Sequence, residues 1–377
     1  MKCKLGDIVD VTMGQSPKSE FYNTEKKGYP FLQGSKTFGF KYPTFDIYTT
    51  FLTKFAKSGD IIMSVRAPVG DLNITPVDMC LGRGVCSLRM KNENQSFLFY
   101  MMKYYIPHLQ KKENGTVFGS VNRNDITRLE VDIPESIEVQ KKIARYLEMI
   151  DDKIQLNNMI NNNLEQQAKT IFENEFLFLE FLPKDWKQGN LLNIANYLNG
   201  LAMQKYRPAI DEEGIPVLKI KELRQGYCDD NSELCSTNIK PEYIIHDSDV
   251  IFSWSGSLLV DFWCGGTCGL NQHLFKVTSD KYDKWFYYAW TKHHLEHFIT
   301  VATDKATTMG HIKRDELKKA KVIIPNSTDY KRIGVLLQPI YEFIIKNRIE
   351  NKKLILLRNT ILPKLISGEI DVSEINI

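Results

Sequence analysis

Polar and cationic side chains recur in three turn-rich loops, and each loop has a partner 186 to 191 residues further along the chain. Loop 1 spans residues 14–22 with its partner 200–208, loop 2 spans 64–70 with 253–257, and loop 3 spans 114–123 with 304–314. Hydroxyl, amide and guanidinium groups can hydrogen-bond to base edges, and cations can neutralise phosphates. The loops therefore have the chemistry of a nucleic-acid surface, with ordinary solvated surface as the alternative for each.

We expect DNA contacts from the polar side chains of these loops. The candidates in the first half are Ser16, Lys18, Tyr22, Arg66, Thr116, Ser120, Asn122 and Arg123. The candidates in the second half are Gln204, Lys205, Arg207, Trp254, Ser255, Lys305, Thr307, Thr308, His311 and Lys313. Residues 305–321 carry six lysines or arginines against two acids, whereas the net charge of the whole chain, +3, requires no polyanionic partner. A fold-supporting salt bridge between Asp60 and Arg66 is the alternative for that arginine.

Catalytic motifs are missing from the sequence. It contains neither the Asn/Asp-Pro-Pro-aromatic tetrapeptide of amino-methyltransferases nor a glycine-rich ATP-binding loop, and no nuclease centre stands out. Cys264, Cys268 and His273 could supply three zinc ligands, but their spacing fits no standard finger, so we expect no metal site. His293, His294 and His297 are expected on a solvated or phosphate-facing helix surface. These absences agree with a chain that is not itself an enzyme, and a stand-alone enzyme with an unrecognised active site is the alternative.

The loops belong to a repeat that covers most of the chain. The landmarks of the first copy are Gly14, Gly28, Pro30, Asp60, Ser64, Gly119, Arg123 and Pro134, and those of the second are Gly200, Gly214, Pro216, Asp249, Ser253, Gly310, Arg314 and Pro325. Two similar units on one chain predict a pseudo-twofold molecule that binds something with two related parts.

Each copy has the pattern of a mixed α/β (α+β) globule. In the first copy we predict a strand at 61–65, a helix at 96–109 and a strand at 129–134 that a proline ends. The second copy repeats this order with a strand at 249–254, a helix at 283–299 and a strand at 320–325. Two similar globular domains, each followed by a long helix, are therefore expected.

A heptad pattern follows each copy, and each pattern has two asparagines in its middle. The first pattern comprises Ile143, Leu147, Ile150, Ile154, Asn157, Asn161, Leu164, Ala168 and Ile171, and the second comprises Ile333, Leu337, Ile340, Ile344, Asn347, Asn351, Leu354, Arg358 and Ile361. Antiparallel packing would pair Asn157 with Asn351 and Asn161 with Asn347, which would fix the register. The alternative is that these asparagines face solvent.

Pro339 is expected to divide the second helix. An interior proline usually breaks a helix but is accepted in a first turn. We therefore predict a short helix that ends near Leu337 and a longer one from Pro339 to Leu362, before Pro363.

The chain resembles the specificity subunits of type I restriction–modification enzymes. The resemblance lies in LGDIVDVTMGQSP (5–17), GYPFLQG (28–34) and its partner GIPVLKI (214–220), CGLNQHLFKV (268–277), IEVQKKIARYL (137–147) and LPKLISGEI (362–370). It implies target-recognition domains at 1–134 and 183–325, with spacer helices at 135–182 and 326–377 that form an antiparallel coiled coil. The second helix departs from the family pattern because TDYKRIGVLLQP (328–339) lacks a counterpart of Gln140.

The same resemblance implies the partners. The two domains would bind the two halves of a bipartite, asymmetric site in double-stranded DNA, and the helices would dock two adenine-N6 methyltransferase subunits. S-adenosylmethionine, ATP and Mg²⁺ would belong to those and to motor-endonuclease subunits, with no cofactor in this chain. A subunit of a related defence system, a silent or recombining cassette, and a stand-alone enzyme are the alternatives.

The sequence favours a cytoplasmic protein without a membrane partner. No apolar run reaches the roughly 20 residues that a bilayer requires, and the first residues lack a secretory signal pattern.

The basic stretch in the second copy yields a test. Replacing Lys305 and Lys313 with alanine should weaken DNA binding and flatten its salt dependence, because each lost phosphate contact lowers the slope of log K against log salt by about 0.9. Titrations at several salt concentrations measure that slope. An unchanged slope would place the phosphate contacts elsewhere.

Overall fold

The computed structural model describes residues 1–110, 119–304 and 311–372. Thr116, Lys305, Thr307 and Thr308 among the predicted contact residues lie outside this part of the chain. The chain forms two units, one made of Met1–Gln155 with Leu354–Ile377 and the other of Leu156–Lys353. No described helix is both long and apolar enough to cross a membrane.

The first unit contains short strands around one buried helix. Its strands are β1 (Lys2–Lys4), β2 (Val9–Met13), β3 (Tyr22–Asn23), β4 (Tyr29–Leu32), β5 (Tyr48–Thr49), β6 (Phe55–Ala56), β7 (Ile61–Ser64), β8 (Leu72–Ile74), β9 (Met79–Leu81), β10 (Val85–Met90) and β11 (Glu130–Asp132). Its helices are α1 (Leu5–Ile8), α2 (Gln95–Gln110), α3 (Arg123–Thr127) and the first part of α4 (Ile137–Phe172).

The second unit repeats this succession of elements. Its strands are β12 (Lys187–Asn190), β13 (Asn196–Asn199), β14 (Ile215–Leu218), β15 (Leu234–Cys235), β16 (Ile244–Ile245), β17 (Val250–Ser253), β18 (Leu259–Phe262), β19 (Cys268–Leu270), β20 (Leu274–Thr278) and β21 (Lys321–Ile324). Its helices are α5 (Leu191–Ile194), α6 (Ile220–Gln225), α7 (Lys284–His293), α8 (Leu295–Asp304), α9 (Arg314–Lys319) and much of α10 (Ser327–Ile366).

The sheets of the two units correspond strand for strand, except that β3 of the first unit has no counterpart among the described strands of the second. A four-stranded sheet has the order β2-β10-β7-β8 in the first unit and β13-β20-β17-β18 in the second. A second sheet contains the parallel pair β4–β9 in one unit and β14–β19 in the other, and the pairs β1–β11 and β12–β21 close each unit. The predicted mixed α/β class with two similar units and long helices is therefore confirmed.

The landmark residues of the repeat have the same structural task in both units. A Cβ atom on Gly14 would collide with the carbonyl of Gly82, and one on Gly200 would collide with the carbonyl of Asn271. Ser64 Oγ donates to the carbonyl of Pro68 at 2.7 Å, and Ser253 Oγ donates to that of Ser257 at 2.8 Å. These repeated residues in the sequence thus correspond to the same backbone geometry in both units.

One helix forms the centre of each core. Residues 97–102 of α2 are all buried, as are residues 285–291 of α7, so these helices are apolar on every side. The sequence predicted a single helix at 283–299, which is wrong, because the helix is interrupted at His294. The ring of His294 binds the carbonyl of Lys321 through Nε2 at 2.8 Å.

The predicted break at Pro339 is also wrong, since α10 is one helix that includes Pro339 and Pro363. Pro339 cannot donate to the carbonyl of Val335, the residue four positions earlier. Both residues are exposed, with 73% of Val335 accessible, so water can bind the freed carbonyl. The apolar face of α10, with Leu337 and Ile344 buried, keeps the helix in place.

The four seam asparagines are buried in the second unit, where α4 and α10 run antiparallel. Asn157 Nδ2 donates to Asn351 Oδ1 at 2.8 Å, and Asn347 Nδ2 donates to Asn161 Oδ1 at 2.9 Å. Their exposed fractions lie between 1% and 7%, so the solvent-facing alternative is wrong. Asn351 also donates to Asn158 Oδ1 at 2.8 Å, which extends the amide network.

A different polar pair joins the same two helices in the first unit. Arg358 Nη1 contacts Asp151 Oδ1 at 2.6 Å, and their side chains are 12% and 1% exposed. Tyr100 of α2 donates to Asp151 Oδ2 at 3.0 Å, and Lys103 lies 3.6 Å from the same oxygen. Burial raises the pKa of Tyr100, so its hydroxyl remains a donor.

Replacing the four asparagines with leucine should alter helix register or oligomeric state, because apolar seams no longer discriminate between registers one heptad apart. Light scattering after size exclusion and disulfide trapping between engineered cysteines would measure both. The control replaces the exposed Asn162 and Asn163. A variant with the parent's register and oligomeric state would refute the role of these amides.

Replacing Arg358 with methionine should destabilise the chain by about 3–5 kcal/mol, because Asp151 would remain buried without its main cation. Urea denaturation measures the loss. The exposed Arg145 on α4, replaced in the same way, should change stability by less than about 0.5 kcal/mol. Equal effects at both positions would contradict a locking role for the ion pair.

Candidate nucleic-acid interface

Loops 2 and 3 meet in the first unit through a short antiparallel bridge between Arg66 and Ser120. The N–H of Val121 donates to the carbonyl of Val65 at 2.9 Å, and the N–H of Ala67 donates to that of Gly119 at 3.3 Å. Two loops more than 50 residues apart in sequence thus form one surface.

Loop 1 reaches the same surface through the turn at 82–84, which joins β9 to β10. The N–H groups of Gly14 and Gln15 donate to the carbonyls of Val85 and Leu81 at 3.0 and 2.9 Å. The N–H of Arg83 donates to Ser16 Oγ at 3.2 Å. On its other side, the turn accepts the N–H of Val65 from loop 2 at the carbonyl of Gly84, at 2.9 Å.

Two cations on this surface are available to a ligand. Arg66 and Arg123 are exposed, and neither guanidinium pairs with a group in the part of the chain that the structure describes. Lys18 is also exposed and lies 3.8 Å from Glu20, a weak surface pair.

Other predicted contact residues have structural partners. Asn122 caps α3 by accepting from the N–H groups of Asn124 and Asp125 at 2.8 and 3.2 Å. Tyr22 donates to the carbonyl of Pro17 at 2.9 Å, which closes loop 1. The side chain of Ser120 is exposed.

The alternative pairing of Asp60 with Arg66 is wrong. Asp60 forms its ion pair with Arg89 of β10, and its Oδ2 accepts the N–H of Lys57 at 2.9 Å. Burial raises the pKa of Asp60, against the Lys57 N–H and Arg89, which lower it. Arg89 therefore has the structural role, and Arg66 stays free at the surface.

The second unit assembles its loops in the same way. Ser255 and His311 form the equivalent antiparallel bridge, and the N–H of Ile312 donates to the carbonyl of Trp254 at 2.9 Å. The turn at 271–273 replaces 82–84, since Leu201 of loop 1 donates to the carbonyl of Leu270 at 2.9 Å. The backbone N–H of Trp254 donates to the carbonyl of His273 at 3.4 Å.

Side chains at this surface form a polar network. Ser255 Oγ lies 3.0 Å from His273 Nδ1, and Gln272 Nε2 lies 3.4 Å from His273 Nε2. The indole N–H of Trp254 donates to Asn199 Oδ1 at 2.9 Å, which leaves the ring half-exposed at the edge of the surface.

The cations of the second unit differ in availability. Lys205 and Lys313 are exposed, the latter at the start of α9, and Gln204 is exposed beside Lys205. Arg207 instead pairs with Glu233 at 2.8 Å, so a phosphate would have to compete with that carboxylate.

Sequence reasoning did not single out the turns at 82–84 and 271–273, around which the loops assemble. The segment 268–277 stood out only as a family motif, and alignment of β9 with β19 would have placed Arg83 opposite Gln272. Arg83 is exposed and Gln272 half-exposed.

Among the described residues, no group of three histidine, cysteine, aspartate or glutamate side chains could hold a metal ion. Cys264 and Cys268 lie in different core clusters, and burial raises the pKa of the Cys264 thiol to about 12. His293 and His297 are exposed, whereas His294 is half-buried and burial lowers its pKa to about 4.

The chain matches a family model described as the type I restriction modification DNA specificity domain, over residues 1–166 and 183–356. It is 24% identical over 409 aligned positions to the type I restriction enzyme MjaIX specificity subunit of Methanocaldococcus jannaschii, covering 99% of this chain and 94% of that protein. It is 39% identical over 163 residues to the putative MjaX specificity subunit of the same organism, a match that spans 43% of this chain and 38% of that protein.

A solved structure shares the fold. The S subunit of a type I restriction–modification system from M. genitalium aligns with a TM-score of 0.60 at 15% identity, over 99% of this chain and 96% of that one. The family match extends over both units and includes their loops. The chain therefore belongs to the DNA specificity subunits of type I restriction–modification systems.

Proposed function

We propose that the two units bind the two halves of a bipartite, asymmetric site in double-stranded DNA, with recognition domains at 1–134 and 183–325. The observation that supports this most strongly is the duplicated surface, in which the same loops meet around the same turn in each unit. The backbone frame is shared, whereas the side chains on it differ. Two different half-site sequences follow, because base edges are recognised by side chains.

The predicted contact residues have two tasks in this proposal. Phosphates would be neutralised by the cations Lys18, Arg66, Arg123, Lys205, Arg207, Lys305 and Lys313. Ser16, Tyr22, Thr116, Ser120, Asn122, Gln204, Trp254, Ser255, Thr307, Thr308 and His311 would line the groove. Asn122 and Tyr22 would act mainly through the backbone that they hold in place.

We also propose that α4 and α10 dock two adenine-N6 methyltransferase subunits and, where present, motor-endonuclease subunits. Both helices expose large apolar side chains that docking would cover. They are Ile137, Met149, Leu356 and Leu357 in the first unit, and Leu156, Met159, Val335, Leu336 and Phe343 in the second. Gln140 does not contribute to such a surface, because it is buried and donates to the carbonyl of Pro134 at 2.8 Å.

Catalysis would belong to the partners in a cytoplasmic complex. S-adenosylmethionine would bind to the methyltransferase subunits, and ATP and Mg²⁺ to the other partner subunits. This chain would supply the DNA sequence preference and the docking surface, without a cofactor of its own.

Co-expression with the neighbouring methyltransferase gene, followed by genome-wide mapping of methylated adenines, tests the proposal. We expect one motif with two unlike halves at a fixed spacing, and none when either gene is expressed alone. The purified chain alone should neither methylate nor cleave DNA. Methylation without this chain would refute the proposal, and so would a motif that is one continuous sequence rather than two separated halves.

A further inference from the structure

We infer that Arg83 and Gln272 are specificity-determining residues, with Arg83 binding a guanine in one half-site and Gln272 binding an adenine in the other. This inference rests on the proposed function and assigns a base class to one position in each unit. It is argued from the geometry of the two equivalent turns, from the availability of both side chains to a ligand, and from the hydrogen-bonding groups that each side chain carries.

The two turns have the same backbone hydrogen bonds. Gly82 N–H donates to the carbonyl of Leu32 at 2.8 Å, and Asn271 N–H donates to that of Leu218 at 3.2 Å. Val85 N–H closes the first turn on the carbonyl of Gly82 at 3.1 Å, and Leu274 N–H closes the second on that of Asn271 at 3.0 Å. Arg83 and Gln272 therefore occupy the same position.

In the first turn, only the middle position has room for a side chain. Gly82 and Gly84 flank Arg83, and a Cβ atom on either glycine would collide with the carbonyl of Leu32 or Gln33. The backbone of Arg83 is fixed by its bond to Ser16. Arginine thus stands on a rigid support between loops 1 and 2, as specific binding requires.

The guanidinium of Arg83 has no structural role in the described part of the chain. Within the described part of the chain no acceptor pairs with it, and the side chain is exposed. Arg89 and Arg358, in the same unit, are bound to Asp60 and Asp151. An unpaired guanidinium on a rigid turn suits the two acceptors of guanine, O6 and N7, in the major groove.

Gln272 presents a different pattern at the equivalent position. Its amide lies 3.4 Å from His273, whose other ring nitrogen contacts Ser255 at 3.0 Å. That long contact orients the amide yet leaves its oxygen and second N–H free to bind. One donor and one acceptor on a fork match N7 and N6 of adenine.

The test maps methylated adenines for complexes that contain Arg83→Gln or Gln272→Ala in the full-length chain. For Arg83→Gln we expect one guanine of one half-site to lose its preference by about 5- to 150-fold, with the other half-site unchanged. Gln272→Ala should relax one adenine of the opposite half. Arg128→Gln, an exposed arginine at the end of α3 and outside the loops, is the matched control and should keep the parent motif.

Binding measured against salt separates base contact from phosphate contact. Loss of a base contact should leave the salt slope nearly unchanged, whereas loss of a phosphate contact lowers it by about one. An Arg83→Gln complex with the parent motif and a lower slope would overturn the inference while leaving the proposed function intact. A parent complex without a bipartite motif would overturn both.

Discussion

Buried polar groups must find partners, and this requirement governs how α4 and α10 associate. Asn157, Asn161, Asn347 and Asn351 are removed from water, so an amide that lost its partner would remain buried with unmet hydrogen bonds. The pair of Asp151 and Arg358 imposes the same condition in the other unit. A shift of either helix by one heptad would unpair these groups, so we expect the polar seam to favour one register where an apolar seam would accept several.

The fold separates the residues that maintain the backbone from those that vary at the surface. Gly14, Gly200, Ser64 and Ser253 set the loop geometry, and their side chains are small or point inward. Between them Arg83 and Gln272 occupy equivalent turns, which share the backbone bonds of Gly82 and Val85 in one unit and of Asn271 and Leu274 in the other, although the N–H of Arg83 also donates to Ser16 Oγ. The side chains at this surface therefore differ on one shared backbone frame.

The sequence predicted features that depend on local pattern and on the repeat, such as the strands at 61–65 and 249–254 and the asparagine partners. It failed where tertiary contacts decide, because the buried face of α10 overrides the propensity of Pro339 to break a helix. At the interruption of the α7–α8 segment, the ring of His294 binds a carbonyl 27 residues away, a contact that the sequence pattern does not show. The partner of Asp60 is Arg89, on the strand β10 that pairs with β7, rather than Arg66, which is nearer in sequence, and no periodicity distinguishes the two. Arg83 was not among the predicted contact residues, because the turn that carries it meets loops 1 and 2 only in the fold.

The seam also indicates how far the two halves have diverged. By the repeat, Asn157 corresponds to Asn347 and Asn161 to Asn351, so each of these amides would again face an amide if either half associated with a copy of itself. Asp151 and Arg358 correspond to Tyr341 and Ala168, both buried in the apolar core of the second unit. Two copies of the first half would place Asp151 opposite alanine and leave a buried carboxylate without its arginine. The amide pairs are thus compatible with the symmetry of a duplication. The ion pair instead requires one half of each kind, so the stability of the fold depends on having two unlike halves.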